Sequence, residues 1–497
     1  MQSLNVNRVA SSNSRVQLRS HASKARSTIR VSRTRTQFRV KAVLASPAPA
    51  ERAPGSLLGD DLPYLEPGEA TWGPDAPKYV AEWRRNLDLK AWGQEMRELE
   101  RELKAEQGDE DVSHLKGVLF WSNVCYFSGL ALAGVCNPMA GNPIAAFLIS
   151  TAIFCRWTMV GHHSSHGGYN SQQVEEGGEF GRFHRKAFAK GPLRRVVDWL
   201  DWMLPEAWDV EHNNLHHYKL GEVGDPDLVE RNLQDIRKQN IPKPLKYVQV
   251  AALMLMWKWF YYAPNTLKEM NLWERERAEK NPKRYEMKEK IFTVEPGHSA
   301  SIVTTVIELF KGNVRPIVAM TKVLAPFAFF HYVLCPLPFY LLGGPQLGAI
   351  ALANMVLADI ITNVHSFIVI ATNHCGRDVY RFDTTVAPKS DEFYLRAVIG
   401  SANFRTAYTT PGRPEGKPSG VLGNINDFMH GWLNYQIEHH MFPDMSMLSY
   451  QKAMPRVKEA CERHGVPYVQ ESVWIRLKRT TSIMVGSENM LQWERGM

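Results

Sequence analysis

Two apolar runs separated by a short turn, a long polar stretch, two more apolar runs and a second polar stretch form the ground plan of this chain. The first run covers Gly117 to Cys136 and the second Ile144 to Val160, with Asn137-Pro138 through Pro143 as the turn between them. The later pair covers Ile317 to Leu342 and Leu347 to Ala371, separated by Gly343-Gly344-Pro345. Each run is near the ~20 residues that a helix needs to cross a hydrocarbon core about 30 Å thick. The pattern predicts an all-α multi-pass membrane protein with about four transmembrane helices and a helical cap on the membrane surface. Two crossings precede each polar stretch, so both stretches fall on the same side of the membrane.

Shorter patterns fill in the cap. Lys78 to about Gln107 is charged and helical, with Trp83, Leu87, Leu89, Trp92, Met96 and Leu99 as a broken apolar stripe, and reads as a surface or interfacial helix. Val196 to Leu204 is amphipathic and contains Trp199 and Trp202, with Trp208 close behind. It is expected to lie in the headgroup layer, a core helix of a soluble cap being the alternative. Leu245 to Ala263 is apolar and aromatic but carries Lys246 and Lys258, and reads as half-buried and not spanning. A charged helix follows from Glu269 to Lys290. Arg156, inside the second run, must either snorkel to the interface or face the protein interior; the interface is the expected place. The tail from Ser449 to Met497 reads as a helix and a short mixed segment with a structural role.

Composition changes the picture at the N-terminus. The first 50 residues hold no Asp or Glu but ten Lys and Arg among many serines, the composition of an organelle transit peptide. Val40-Lys41-Ala42 before Val43 looks like the cleavage pattern of green-algal chloroplast presequences; mitochondrion is the second reading, and a basic nucleic-acid-binding arm the third. Without this arm the chain has 49 Lys and Arg against 51 Asp and Glu, so its charge points to no nucleic-acid partner. Six scattered cysteines form neither a CxxC nor a disulfide framework. The expected divisions are a chloroplast transit peptide (1–42), a linker and surface helix (43–110), a membrane domain (111–460) and a C-terminal tail (461–497).

The candidate chemistry lies in three histidine clusters. His162-His163-Ser164-Ser165-His166 ends the second apolar run, and on a helix His162 and His166 share a face while His163 is turned away. His212-Asn213-Asn214-Leu215-His216-His217 and Gln436-Ile437-Glu438-His439-His440 repeat the device, each with a side chain three or four residues before a His-His doublet. The fourth run delivers Asn373-His374 to the same face, with His365 turned about half a revolution away. The set His162, His166, His212, His216, His217, His374, His439, His440 and Gln436 exceeds the three or four ligands of one zinc site and fits two metals. Imidazole suits iron, zinc, copper and nickel alike; a multi-His dinuclear centre at a membrane surface favours iron, suited to O2 activation beside an apolar chain. Asp225, Asp227, Glu211 and Glu438 are placed to orient the rings, a surface salt bridge being the other reading of Glu438.

These clusters resemble the three histidine boxes of membrane fatty-acyl desaturases. The stretch Asn434-Tyr435-Gln436-Ile437-Glu438-His439-His440-Met441-Phe442-Pro443 is similar to the Gln-first third box of the front-end group and its acyl-lipid relatives, and Asn373-His374 with Asp378-Val379-Tyr380 to the segment preceding it. The resemblance covers about Gly117 to Pro443. It implies that the eight histidines bind two irons with Gln436 near one of them, and that two hydrogens are removed from a fatty acyl chain while O2 is reduced to water. His163 stands where the front-end group has Asp, and the second box has three residues before its doublet where that group has two. No His-Pro-Gly-Gly stretch of a fused haem domain occurs. Electrons are therefore expected from another protein, ferredoxin in a plastid or else an external cytochrome b5. The basic run Arg182 to Arg195 would dock such an acidic partner, or contact anionic lipid. The expected location is a chloroplast membrane with the metal site on the stromal face. A di-iron hydroxylase or ketolase of a lipid or carotenoid would use the same ligands; a zinc membrane hydrolase and a non-catalytic lipid-binding scaffold are the readings of other classes.

Overall fold

In the computed structural model, which describes residues 82–135, 141–174, 178–294, 298–409 and 420–493, helices begin where the sequence supplies a cap. The Asp88 carboxylate accepts from the N–H groups of Lys90 and Ala91 at 3.1 and 3.0 Å, and α1 runs Leu89–Glu106. Asp109, Glu110 and Asp111 open α2, Asp109–Leu132, where carboxylates suit the positive end of the helix. Asn142 caps α3, Pro143–Cys155. The expected transit peptide (1–42), the linker from 43 to 70 and the Asn137-Pro138 turn lie outside the described residues.

The remaining framework is α4 (Lys243–Trp257), α5 (Ala263–Lys280), α6 (Ile302–Phe310), α7 (Arg315–Phe329) and α8 (Leu337–Ile370), followed by the cap. The cap contains β1 (Tyr380–Phe382), α9 (Asp391–Ile399), β2 (Asn403–Phe404), α10 (Gln436–Met441), α11 (Met447–His464), β3 (Gln470–Glu471), α12 (Val473–Met484) and β4 (Leu491–Trp493). Strand β1 pairs with β4 and β2 with β3, both in parallel, so the C-terminal segment is woven back into the cap. Helix α1 buries Trp92, Met96, Leu99 and Leu103 and packs against α9 and α11.

Among the described residues three helical stretches are long and apolar enough to cross a membrane: Pro143–His166, Arg315–Leu334 and Leu337–His374. The other expected span, from Gly117, forms the greater part of α2. It packs along α3 and exposes Phe120, Trp121 and Phe127, but inward-turned polar residues lower its apolarity. Two of these, Ser122 and Asn123, accept from the Arg156 guanidinium, at 3.1 Å for Ser122 Oγ. Arg156 is thus buried against α2, and the expected interfacial placement is corrected. The turn expected at Gly343 to Pro345 is also displaced: the chain turns at Cys335-Pro336, and Gly344 (φ 73°) breaks α8 further on.

The stretch from 196 to 204 does not lie along the headgroups. A single π-helical turn, Arg195–Trp199, ends at Leu200 in the left-handed conformation, and Trp199, Trp202 and Met203 are buried. The charges that suggest a polar face are satisfied internally, Asp198 by Arg182 and Asp201 by Lys258. Buried carboxylates with cationic partners let the tryptophans turn inward.

Candidate metal centre

Local helix geometry decides which histidines meet. Arg156–Gly161 and Asp209–His216 are π-helical, a wider winding in which residues five apart align. His212 and His217 accordingly come together, five apart, with Nε2 atoms 3.3 Å from each other. Third-box residues Gln436 and His440 lie four apart on the ordinary helix α10, 3.2 Å between their nitrogens. Adjacent positions on a helix point about 100° apart. Each doublet therefore sends its two rings to different places: His217 and His439 join His162, His166 and His212, while His216 and His440 join His374.

The result is two groups side by side, five imidazoles in one and three in the other, each with ring nitrogens within 4.8 Å of one another. His162 Nε2 lies 2.8 Å from His439 Nε2 and 3.0 Å from His212 Nε2. In the second group His440 Nε2 and the Gln436 amide nitrogen stand 3.2 and 2.9 Å from His374 Nε2. His217 and His440 stack at 4.1 Å across the boundary. His163 is turned aside, its Nδ1 on the Met159 carbonyl at 2.8 Å, and His365 binds the Met429 carbonyl at 2.7 Å, away from both groups.

Such spacing is what metal ions require. Two nitrogens each about 2.1 Å from one ion are ~3.0 Å apart at a right angle and ~3.4 Å at a tetrahedral angle. Burial, reinforced by the neighbouring imidazoles, pushes His212, His217, His439 and His440 well below the ordinary imidazole value, toward the neutral ligand form. The buried His166 Nε2 and Gln436 Oε1 have no hydrogen-bond partner, and a flip of the Gln436 amide turns its oxygen toward His374 and His440. The residues fit two ions, with Gln436 beside the second.

Supporting groups fix the rings. His216 Nδ1 donates to Asp225 Oδ1 at 2.8 Å, and Asp225 also accepts from the N–H of Gly221 and Asp227. Burial opposes the charged form of His216, yet the Asp225 carboxylate prevails and raises it above the ordinary value. His439 Nδ1 faces the Tyr450 hydroxyl at 3.2 Å, and His374 Nδ1 faces Ser401 Oγ at 3.4 Å. Asp227 forms a further possible metal-holding group with His212 and His216. Glu211 contacts no ring: it accepts from the Tyr262 hydroxyl at 3.4 Å, and burial and the facing Asp227 raise it. Glu438 makes neither of the contacts expected of it, since it is fully buried, accepts from Asn403 and Tyr468, and is pushed by burial up to about 7.

Several positions carry no metal-ligand signal in the sequence. Trp208 stacks on His212 at 4.5 Å and meets His162 edge-on at 5.3 Å. Arg476 of α12 grips both Asp378 oxygens at 2.8 Å and the Cys375 carbonyl at 2.8 Å, anchoring the segment after His374. Gly168 leaves room where a Cβ would sit 2.3 Å from the Met445 carbonyl oxygen, so first-box and third-box segments touch.

A cavity of about 1520 Å³ reaches this centre, its wall including His162, His212, His216, His374 and Gln436. Trp157, Trp257, Phe260 and Phe367 line its apolar part.

The sequence profile of the fatty acid desaturase family matches residues 137–472, about two thirds of the chain. The chain belongs to the fatty acid desaturase family. All nine converging residues lie within the matched desaturase region. A Mycobacterium tuberculosis protein named NADPH-dependent stearoyl-CoA 9-desaturase is 31% identical over 127 residues, 25% of this chain and 26% of that protein. An acyl-lipid (9-3)-desaturase of Physcomitrium patens is 29% identical over 120 residues, 24% of this chain and 18% of its own. A Delta(5) fatty acid desaturase of Caenorhabditis elegans is 37% identical over 65 residues, 12% and 14% of the two chains. The chain thus spans about a quarter or less of the length of these desaturases.

Proposed function

We propose that this family member is an O2-dependent desaturase that introduces a double bond into a fatty acyl chain of a plastid membrane lipid. The observation that carries the reading is the convergence of eight imidazoles and the Gln436 amide in two groups, of which His162, His212, His216, His374 and Gln436 reach the wall of a cavity otherwise rich in apolar side chains. Two bound irons would supply the O2 activation and oxidising power needed to break an unactivated C–H bond. His162, His166, His212, His217 and His439 would hold one, and His216, His374 and His440, with Gln436, the other.

The chain's own residues do the rest. Burial holds His212, His217, His439 and His440 toward the neutral form, and Asp225 fixes the His216 ring so that Nε2 faces inward. Trp157, Trp257 and Phe367 present an apolar wall that orients a methylene pair toward the centre. The balance is removal of two hydrogens from adjacent carbons, with O2, two electrons and two further protons yielding two waters. The electrons come from an external donor; ferredoxin matches the transit-peptide composition of residues 1–42, and the exposed Lys190 and Arg194 suit an acidic partner. The metal centre then faces the stroma.

The test is an acyl-chain profile of cells lacking or overproducing the protein, beside His216→Ala and His439→Ala variants. One unsaturated acyl chain that falls on loss, rises on overproduction and fails to rise with either variant supports the reading. Unchanged acyl chains with a shifted hydroxylated or keto lipid would replace it.

A further inference from the structure

Helix α6 is amphipathic in the opposite sense to a helix that faces water. Its buried positions are Thr305 and Glu308, while Ile302, Val303, Val306, Ile307, Leu309 and Phe310 are 38 to 86% exposed. The polar face is tied down. Thr305 Oγ1 donates to the Ser301 carbonyl at 3.0 Å, and Glu308 accepts from the Thr293 hydroxyl and from Asn313 Nδ2. A helix that buries a carboxylate and turns an unbroken apolar face outward is matched to an apolar medium. Its place in the chain supplies that medium: Gly312 (φ 82°) turns the backbone, and the span Arg315–Leu334 begins directly afterwards. Lys311 and Arg315 bracket the turn at the depth where cations meet headgroups.

The cavity that reaches the histidines runs out to this helix. Val303 and Ile307 line it and are also 49 and 45% exposed, so each is at once cavity wall and outer surface. On α4, Met256 does the same, next to the exposed Leu255. The rim is therefore apolar on both sides where α4 and α6 frame it. Elsewhere the cavity lining carries Arg231, Lys238 and Lys311 against Asp227, Asp235 and Glu308, a balanced set without the concentrated positive charge that a soluble polyphosphate carrier demands.

We propose that α4 and α6 frame a lateral portal through which an acyl chain passes from the bilayer into the cavity while still attached to its membrane lipid. The head group stays at the rim beside Lys311. This rests on the preceding reading in that the cavity takes the acyl chain of a membrane lipid; it adds the route by which that chain enters. Ile307 is the gatepost, and a larger side chain there narrows the passage without touching the histidines.

The experiment uses the full chain in vesicles of phosphatidylcholine and monogalactosyl diacylglycerol, each with a diazirine in one acyl chain, and in parallel a soluble acyl thioester with the same probe. After illumination, labelled peptides are mapped by mass spectrometry. Vesicle lipid is expected to label the segment containing Trp257 and Phe260. Ile307→Trp should lower that labelling at least tenfold, while Phe310→Trp, on the same helix but outside the cavity wall, should leave it unchanged. Cavity labelling by the thioester alone, or lipid labelling indifferent to Ile307→Trp, overturns the portal. Because the readout is labelling, a chain that loads lipid but forms no double bond sinks the desaturase reading and leaves the portal standing.

Discussion

Asp225 and His216 face each other across 2.8 Å, the imidazole Nδ1–H donating to the carboxylate. The contact fixes the tautomer, leaving the Nε2 lone pair free to point at His374 and His440. Asp225→Asn keeps the shape but removes the charge and can turn an N–H toward the ring. Such outer contacts are typically worth 10–100-fold in metal affinity. Metal content after dialysis against a graded chelator series should show a loss of that size; unchanged retention would mean that Asp225 merely packs.

Two separate groups imply two separable ions. The protein purified with iron should hold about two per chain. His166→Ala and His374→Ala, one in each group, should each reduce the count toward one, while His365→Ala, outside both, leaves it at two. Exhaustive chelation should also lower the unfolding temperature, since a ligand at about 100 times its Kd stabilises by roughly 2.7 kcal/mol.

The Arg476–Asp378 pair is fully buried and bidentate. Removing one partner of an isolated buried pair costs about 3–5 kcal/mol; here Arg479 Nη1 remains 3.2 Å from Asp378 Oδ2, which places the cost toward the lower end. Arg476→Met should show a loss of that order in denaturant unfolding. Arg476→Met with Asp378→Asn should recover part of it, because the buried carboxylate that Arg479 alone would then have to neutralise is gone. A double variant no better than the single one would place the effect in lost packing.

A further prediction concerns acid. Burial pushes His114 down to about 4, against a partial lift from Asp111. An unfolded chain takes up this proton near the ordinary value of 6.5, so folding excludes it between those limits. The associated stability is complete above pH 6.5 and is lost as pH falls toward 4, amounting to about 3 kcal/mol. His114→Gln should flatten that part of the stability profile relative to the parent; identical slopes would show that the ring is solvated.

The chemistry of the site is legible in the sequence because histidine is scarce and its clusters are short. What the sequence hides is how the rings are divided. Ordinary helical spacing aligns His212 with His216, and only the π-helical winding of Asp209–His216 brings His212 to His217. Tryptophans mislead in a different way: Trp199 and Trp202 beside Asp198 and Asp201 look amphipathic until Arg182 and Lys258, distant in sequence, neutralise the carboxylates. Arg156 is similar, since its partners Ser122 and Asn123 lie on another helix. Glu438 reads as a ring-orienting group or surface salt bridge because nothing local announces Asn403 and Tyr468. The broad plan, apolar helices under a polar cap, follows from the length and order of the apolar runs. The exact turns do not, because Gly344 and Pro336 are both plausible breaks and tertiary packing chooses between them.

The parallel pairing of β1 with β4 sets a timetable for biosynthesis. His162 and His439 approach to 2.8 Å although 277 residues separate them. A ribosome adding about 5–20 residues per second needs roughly a quarter of a minute to a minute to make the intervening chain. Leu491–Trp493 emerges later still, and only then can it clasp the strand that follows His374. During that interval the first two boxes present a half-built nest of imidazoles to whatever metal is at hand. Faithful loading of the centre is therefore a task for the finished, membrane-inserted chain.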